Sequence, residues 1–540
     1  MDALLSPTRL LTLSPDNDLA QDVVAKCASI IMADSDSHKH HRQFLESIES
    51  EANTDAEEIA AVPLGSAIGQ IPISGANKER HRFVLDLSQE RTGPFRSWVI
   101  GRGSSKLKDR NVDILVKASK AILPAPVVAL IWVEGQSGAF ILKAVSPNCP
   151  IQYLSGLGSG GDLTLQRGDQ CVLWMKRNRL RFGLRQLDFV LDVAIEHEAR
   201  YTVNRAQYFS QGDGLLPNVH LDVVPKDEHQ RTNNYIIHRK ILAAGSFGRI
   251  SVGVNATNGL PVAIKVAHSK RLADTQDLKN EIRIAGLLSP HPNIVPFLDT
   301  WCSHGDSPPC SAYPLDDYYM AMPLAEQSFE SFFTSYRDTR LRLKLFQDVT
   351  KGLAHIHSRG VMHRDISPKN LLVTLERPGI SASSWIALIC DFGKAIQATG
   401  HHATGIGPIH TVAPEVWNFQ PGVPRGQGYQ YTSAIDVWSL GYAHLYILRQ
   451  PKPLEKTDRK RHSMLMQILD DLCTEDHIEH DEKSHVQNLL SMEPGLRPTA
   501  QAALAHPMWE TSEWPAPPRL SLGSQQSQES DGAILDTEPF

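Results

Sequence analysis

A chain of 540 residues is too long for one hydrophobic core, so two or three domains are expected. Its formal net charge of -6, with 41% apolar and 21% charged residues, suits a globular protein and argues against direct binding of nucleic acid by charge. The seven cysteines stand singly with no Cys-x-x-Cys pair, which disfavours a disulfide framework or zinc ribbon and favours a reducing, intracellular setting, cytoplasm or nucleus undecided.

Residues 1–80 show no sustained period and are expected to be mostly disordered. Their start, Met1-Asp2-Ala3-Leu4-Leu5-Ser6, lacks the basic-then-apolar pattern of a signal peptide. The run His38-Lys39-His40-His41-Arg42 reads as solvated chain, because no Cys or carboxylate pattern surrounds it to complete a metal site. Phe44, Leu45, Ile48 and Ile59 keep helical spacing, compatible with a short helix from Gln43 to Ala61. Over residues 81–195 the pattern changes to short apolar runs broken by Gly and Pro, among them Phe83-Val84-Leu85, Trp98-Val99-Ile100 and Val127 to Val133. That spacing predicts an all-β sandwich, and the last run is far too short to span a membrane. The basic stretch Lys176 to Arg181 reads as a solvated hairpin.

Trp98, Ile100, Gly101 and Arg102, followed by Leu165, Gly168 and Asp169, resemble the opening and a later step of a forkhead-associated (FHA) domain. The resemblance implies phosphothreonine-peptide binding, with Arg102 near the phosphate and Ser119 beside it. Two departures stand against it: Ser119-Lys120 is followed by no His, and the later Asn that reads the peptide backbone is missing. A sandwich kept only for packing is the other reading. Residues 196–230 are polar and are expected to be a linker.

Within residues 231–511 the pattern is different again. Ile241 to Ile250 reads as strand, Gly-rich turn, strand, in which Ala243 takes the place of a first glycine and Gly245, Phe247, Gly248 and Ile250 follow. Such glycines let successive backbone N–H groups face phosphates. Val262-Ala263-Ile264-Lys265 then supplies a strand-borne ammonium, and Glu281, on a helical segment, an ion-pair partner for it. The apolar strand ending at Met322 and Leu324 runs into a chain connection, and Leu345, Phe346, Val349, Leu353 and Ile356 share one face of a long helix. Next come His363-Arg364-Asp365 with Lys369 and Asn370, then Asp391-Phe392-Gly393, Ala413-Pro414-Glu415, Asp436 to Gly441 and Arg497.

In this order and spacing the segment resembles the eukaryotic protein kinases of Ser/Thr type. With the preceding module it is similar to fungal FHA-containing, checkpoint-type kinases. The resemblance implies a multidomain protein: an all-β FHA-like sandwich, then an α+β bilobal kinase fold, with disordered termini including residues 512–540. It implies ATP and Mg2+ as cofactors, with Ala243, Gly245, Phe247, Gly248, Ile250, Ala263, Lys265, Glu281, Met322 and Leu324 around the nucleotide. Asp365 would align the substrate hydroxyl, Asn370 and Asp391 would hold metal, and Arg497 would pair with Glu415. Partners would be protein substrates and, through the sandwich, phosphothreonine-containing proteins, with neither membrane nor nucleic acid.

Two further departures bear on activity. Ser367 stands where Ser/Thr kinases carry a Lys facing the γ-phosphate, and Pro408 stands where a Thr usually braces that Lys. Lys369, four residues after Asp365, is expected to take over the contact, as an Arg does at that place in tyrosine kinases. Arg364 beside Asp365 asks for an anion, so phosphorylation of the segment before Ala413 is expected, at Thr404 before Thr399 or Thr411. The alternative is a pseudokinase or phosphopeptide-binding scaffold.

Overall fold

The computed structural model describes residues 9–33, 38–48, 80–104, 109, 111–154, 162–183, 186–195, 198–210, 224–226, 229–245, 248–268, 272–303, 317–376, 384–397, 412–417, 431–449 and 458–509. The N-terminal unit is a two-sheet sandwich. One antiparallel sheet runs, edge to edge, through Leu45–Ile48, Arg80–Asp86, Arg9–Pro15, Leu187–Val193, Arg177–Phe182, Ile151–Leu154 and Leu163–Leu165. The second runs through Gln170–Leu173, Phe140–Ala144, Ala129–Val133, Trp98–Gly101 and Ile114–Leu115. Alternation does the sorting: along Arg177–Phe182, Asn178, Leu180 and Phe182 turn inward, while Arg179 and Arg181 face out and pair with Asp16 and Asp188.

Four expectations are corrected here. Residues 9–33 and 38–48 are ordered parts of the sandwich. Leu10, Leu11 and Leu13 are buried in a strand between two others, and the helix Asp18–Ala33 buries Ala20, Val23, Val24, Cys27 and Ile31. The Asn17 side chain accepts from the Ala20 amide at 2.9 Å and caps that helix. Leu45–Ile48 is a strand paired with Arg80–Asp86, so the helix expected from Gln43 does not form there; residues 49–79 lie outside the described set. Within the expected linker, Glu198–Ser210 is a helix docked on the sandwich: Tyr201 donates to the Gly138 carbonyl at 2.9 Å, and the Arg91 guanidinium lies 4.5 Å from the Tyr208 ring centre. The His run also has packing work. His41 is buried with Nε2 facing the Asp109 and Val112 carbonyls, and His40 bonds Asp113 at 2.8 Å.

The C-terminal unit has two lobes. The smaller is an antiparallel sheet ordered Gln230–Thr232, Tyr235–Gly245, Gly248–Asn255, Pro261–His268, Asp317–Pro323 and Asp299–Cys302, with the helix Leu272–Leu288. The larger is helical, built around Thr339–Ser358 and Ala434–Arg449. Asp338 caps the first of these by accepting from Leu341 N at 2.7 Å, and the stripe Leu345, Val349, Leu353 and Ile356 is fully buried. No helix among the described residues is long and apolar enough to cross a membrane.

The two units are not beads on a string. Ile236, Val252, Val254 and Ala256 of the smaller lobe belong to the same buried cluster as the sandwich core. The Val172 amide donates to the Ala256 carbonyl at 2.8 Å. Gly259, at φ +73°, turns the chain against the sandwich, where a Cβ would lie 2.7 Å from Ile141 Cδ1. Gly360 has a similar φ of +67° but open space around it. Gly259→Val is therefore expected to destabilise the whole chain in urea by about 1 kcal/mol or more beyond Gly360→Val, which carries the backbone strain alone.

Candidate active site

The strand Pro261–His268 sets the site's polarity. Its period of two sends Val262, Ile264 and Val266 into the small-lobe core and leaves Ala263 and Lys265 on the other face. Register places Ala263 opposite Met322 and Lys265 opposite Ile250. Met322 packs with Val295, Leu388 and Leu372, while Leu324 is partly buried against the core that continues into the sandwich. Gly248 pairs with Gly245 at the end of the hairpin, and at φ +128° any Cβ there would strike the Val266 carbonyl at 2.1 Å. Ala243 is an exposed residue of the same hairpin, and Phe247 lies outside the described residues.

Lys265 Nζ is buried 2.6 Å from Glu281 Oε1 and 2.9 Å from Asp391 Oδ1. Burial alone would lower the ammonium pKa, but the two carboxylates outweigh it and hold it above its ordinary value. Burial likewise pushes the Asp391 carboxyl up, and Lys265 reverses that, leaving it below the usual carboxylate range. Asp391 is therefore an anion held at a left-handed φ of +63°, with the Gly393 amide pointing at it.

Across the cleft, the catalytic-loop segment hangs from one buried carboxylate. Asp436, fully buried, accepts the His363 amide at 2.8 Å, the Arg364 amide at 2.7 Å and His357 Nε2 at 2.9 Å. These bonds hold Arg364 at φ +65°, an uncommon conformation for a side chain of its size. His363 Nε2 faces the Cys390 carbonyl at 3.0 Å and so donates to it, while its Nδ1 accepts from the Asp365 amide at 3.3 Å. Asn370 Nδ2 donates to the Asp365 carbonyl at 3.0 Å, which leaves the amide oxygen as an acceptor beside the Asp391 strand, whose Cys390 N bonds Asn370 O at 3.0 Å. Asp365 itself is nearly buried: Oδ2 accepts from Lys394 Nζ at 3.0 Å, and Oδ1 has no hydrogen-bond partner among the described residues. Lys369 is exposed. Arg497 grips Glu415 through two bonds of 2.7 and 2.8 Å, as expected from their residue types.

The same geometry is what a nucleotide-dependent phosphoryl transferase needs, and sequence comparison decides the family. The family described as protein kinase domain matches residues 236–509, just over half of the chain. The chain belongs to the protein kinase family. This kinase is 29% identical over 286 residues to the calcium/calmodulin-dependent protein kinase type II alpha chain of Drosophila melanogaster, covering 51% of this chain and 49% of that one. It is 30% identical over 201 residues to the serine/threonine-protein kinase/endoribonuclease IRE1a of Arabidopsis thaliana, covering 36% of this chain and 22% of that one. Among solved structures, that of Rad53 1-466 in complex with AMP-PNP aligns over 81% of this chain and 97% of that one, at 19% identity and a TM-score of 0.46. The chain spans about half the length of the first of these relatives.

The structure thus gathers Lys265, Glu281, Asp365, Asn370 and Asp391 around one cleft of the kinase. Thr404, with Thr399, Thr411 and Pro408, lies outside the described residues; Arg364 bonds the Lys394 carbonyl at 2.6 Å and the Tyr431 hydroxyl at 2.9 Å. In the sandwich, Arg102 Nε donates to the Leu123 carbonyl at 3.2 Å, and the exposed Ser119 opens the turn that ends at Leu123. Sequence reading missed two residues. Asp436 was visible only as the start of a buried helix, and Lys394 only as one more lysine. Asp436→Ala is expected to cost about 3–5 kcal/mol and to raise hydrogen exchange at the His363 and Arg364 amides, since two buried backbone donors and the His357 ring lose their acceptor. Exchange at those amides unchanged from the parent chain would contradict that assignment.

Proposed function

We propose that this kinase transfers the γ-phosphoryl group of ATP to Ser or Thr hydroxyls of protein substrates. The observation that carries the reading is Asp365: a nearly buried carboxylate with Oδ2 held by the Lys394 ammonium and Oδ1 buried without a hydrogen-bond partner among the described residues, so that it lacks the donor a substrate hydroxyl would bring. Lys265, kept charged by Glu281, is suited to the α- and β-phosphates, and Ala263, Ile250, Met322 and Leu324 to the adenine. The donor set fits a hard cation, since Asp391 is an anion and Asn370 has its amide N–H₂ engaged and its oxygen available. Asp391 and Asn370 would hold Mg2+, which supplies neutralisation of charge spread over the transferring phosphate. Serine/threonine specificity is supported by the name of one relative, and the departures at Ala243 and Ser367 remove none of the charged groups above. With purified protein and labelled ATP, Asp365→Asn is expected to lower transfer by about 10³-fold or more while leaving nucleotide affinity within severalfold. Equal transfer by Asp365→Asn and the parent chain would defeat the reading.

The partners are proposed to be protein substrates and, through the sandwich, phosphothreonine-containing segments. What supports the second is the placement of Arg102 against the Ser119–Leu123 turn, where a guanidinium and a hydroxyl share one end of a sheet. A phosphothreonine peptide is expected to bind the full chain and to lose about tenfold or more in affinity with Arg102→Ala. Equal binding of the unphosphorylated peptide would contradict it.

A further inference from the structure

Phosphoryl transfer by this site, the reading on which this inference rests, needs a mobile positive charge at the transferring phosphate, and Ser367 cannot supply it. Its side chain is one carbon long, uncharged, and nearly buried. Lys369 has the charge, but it is exposed. The ammonium that lies on the Asp365 carboxylate is that of Lys394, the residue directly after Asp391-Phe392-Gly393.

We infer that Lys394 supplies the missing cation: it approaches the reacting centre from the Asp391 side, holds Asp365 by one carboxylate oxygen, and contacts the γ-phosphoryl group of bound ATP during transfer. Three observations converge on it. Its Nζ is 3.0 Å from Asp365 Oδ2, with Lys394 about one-quarter exposed at 23%, so the ammonium sits at the cleft rather than in bulk water. Its backbone is fixed from the catalytic loop, because Arg364 Nε donates to the Lys394 carbonyl at 2.6 Å. The next residue is fixed from the small lobe, because Asn280 Nδ2 on the helix Leu272–Leu288 donates to the Ala395 carbonyl at 2.8 Å. A flexible side chain on an anchored backbone can keep Asp365 oriented when the site is empty and swing toward a phosphate when one arrives. Lys394 takes Oδ2 while Oδ1 is buried without a hydrogen-bond partner among the described residues, so the substrate hydroxyl reaches the carboxylate as Lys394 swings from it toward the phosphate. The proton leaving that hydroxyl goes to Asp365, the new O–P bond forms on the hydroxyl oxygen, and the bond to the β-phosphate oxygen breaks to release ADP. Lys394 exchanges no proton in this step and acts only by charge.

The test uses the full chain and three variants, Lys394→Ala, Lys394→Arg and Lys369→Ala, with two readouts. Lys394→Ala is expected to lower kcat by about 10²–10³-fold with the KM for protein substrate changed by less than about threefold. Lys394→Arg, which keeps the charge, is expected to recover at least tenfold of that loss, and Lys369→Ala to cost at least tenfold less than Lys394→Ala. The second readout is binding alone: the preference for Mg2+-ATP over Mg2+-ADP is expected to shrink by about tenfold in Lys394→Ala, with ADP affinity unchanged as a check on folding. Equal loss of ATP and ADP affinity, or a kcat within about threefold of the parent chain, would overturn the inference, as would a larger loss from Lys369→Ala. Failure of the transferase reading looks different: the parent chain would bind Mg2+-ATP and transfer nothing, and the ATP-over-ADP preference would still decide the role of Lys394.

Discussion

The arrangement of the cleft depends on a carboxylate that never faces it. Asp436 spends both oxygens on the peptide groups of His363 and Arg364 and on the His357 ring, 72 to 79 residues away in the chain. A buried anion with three donors is satisfied only in one geometry, and that geometry holds Arg364 in the left-handed region. With the backbone so fixed, the Asp365 carboxyl is placed by its position in the chain and held there through Oδ2 by Lys394. Helix, loop and site are thereby tied through one side chain of the large lobe.

The opposite wall is organised by charge balance. Lys265 is flanked by Glu281 and Asp391, giving two anions to one cation in a dry setting. Removing either anion would leave the ammonium partly compensated, but removing the ammonium would leave two buried carboxylates facing each other. The pair of carboxylates therefore keeps one negative charge beyond what Lys265 balances.

Much of this was legible in the sequence because the family's chemistry is written in short motifs. Lys265, Asp365, Asn370 and Asp391 were named from residue type and spacing, and the long helix before the loop from its apolar stripe. What stayed hidden is carried by contacts between distant parts of the chain. Nothing local distinguishes Leu10 to Leu13 from loop until Arg80–Asp86 and Leu187–Val193 pair on either side. The helix Glu198–Ser210 looks polar because its buried face is made of Tyr201, Arg205 and Ala206, with no large aliphatic residue among them. Lys394 differs from a surface lysine only through Asp365, 29 positions earlier in the chain.

The joint between sandwich and small lobe has a consequence for how the protein can be divided. Ile236, Val252, Val254 and Ala256 are walls of a compartment whose other buried walls are contributed by the sandwich, with Tyr201 and Val224. A fragment beginning at the kinase boundary would display those aliphatic side chains to solvent on the back of its nucleotide-binding sheet. In this protein the neighbouring module is part of the enzyme's own foundation, so a proteolytic cut between them would yield a sticky, self-associating piece rather than a free catalytic half.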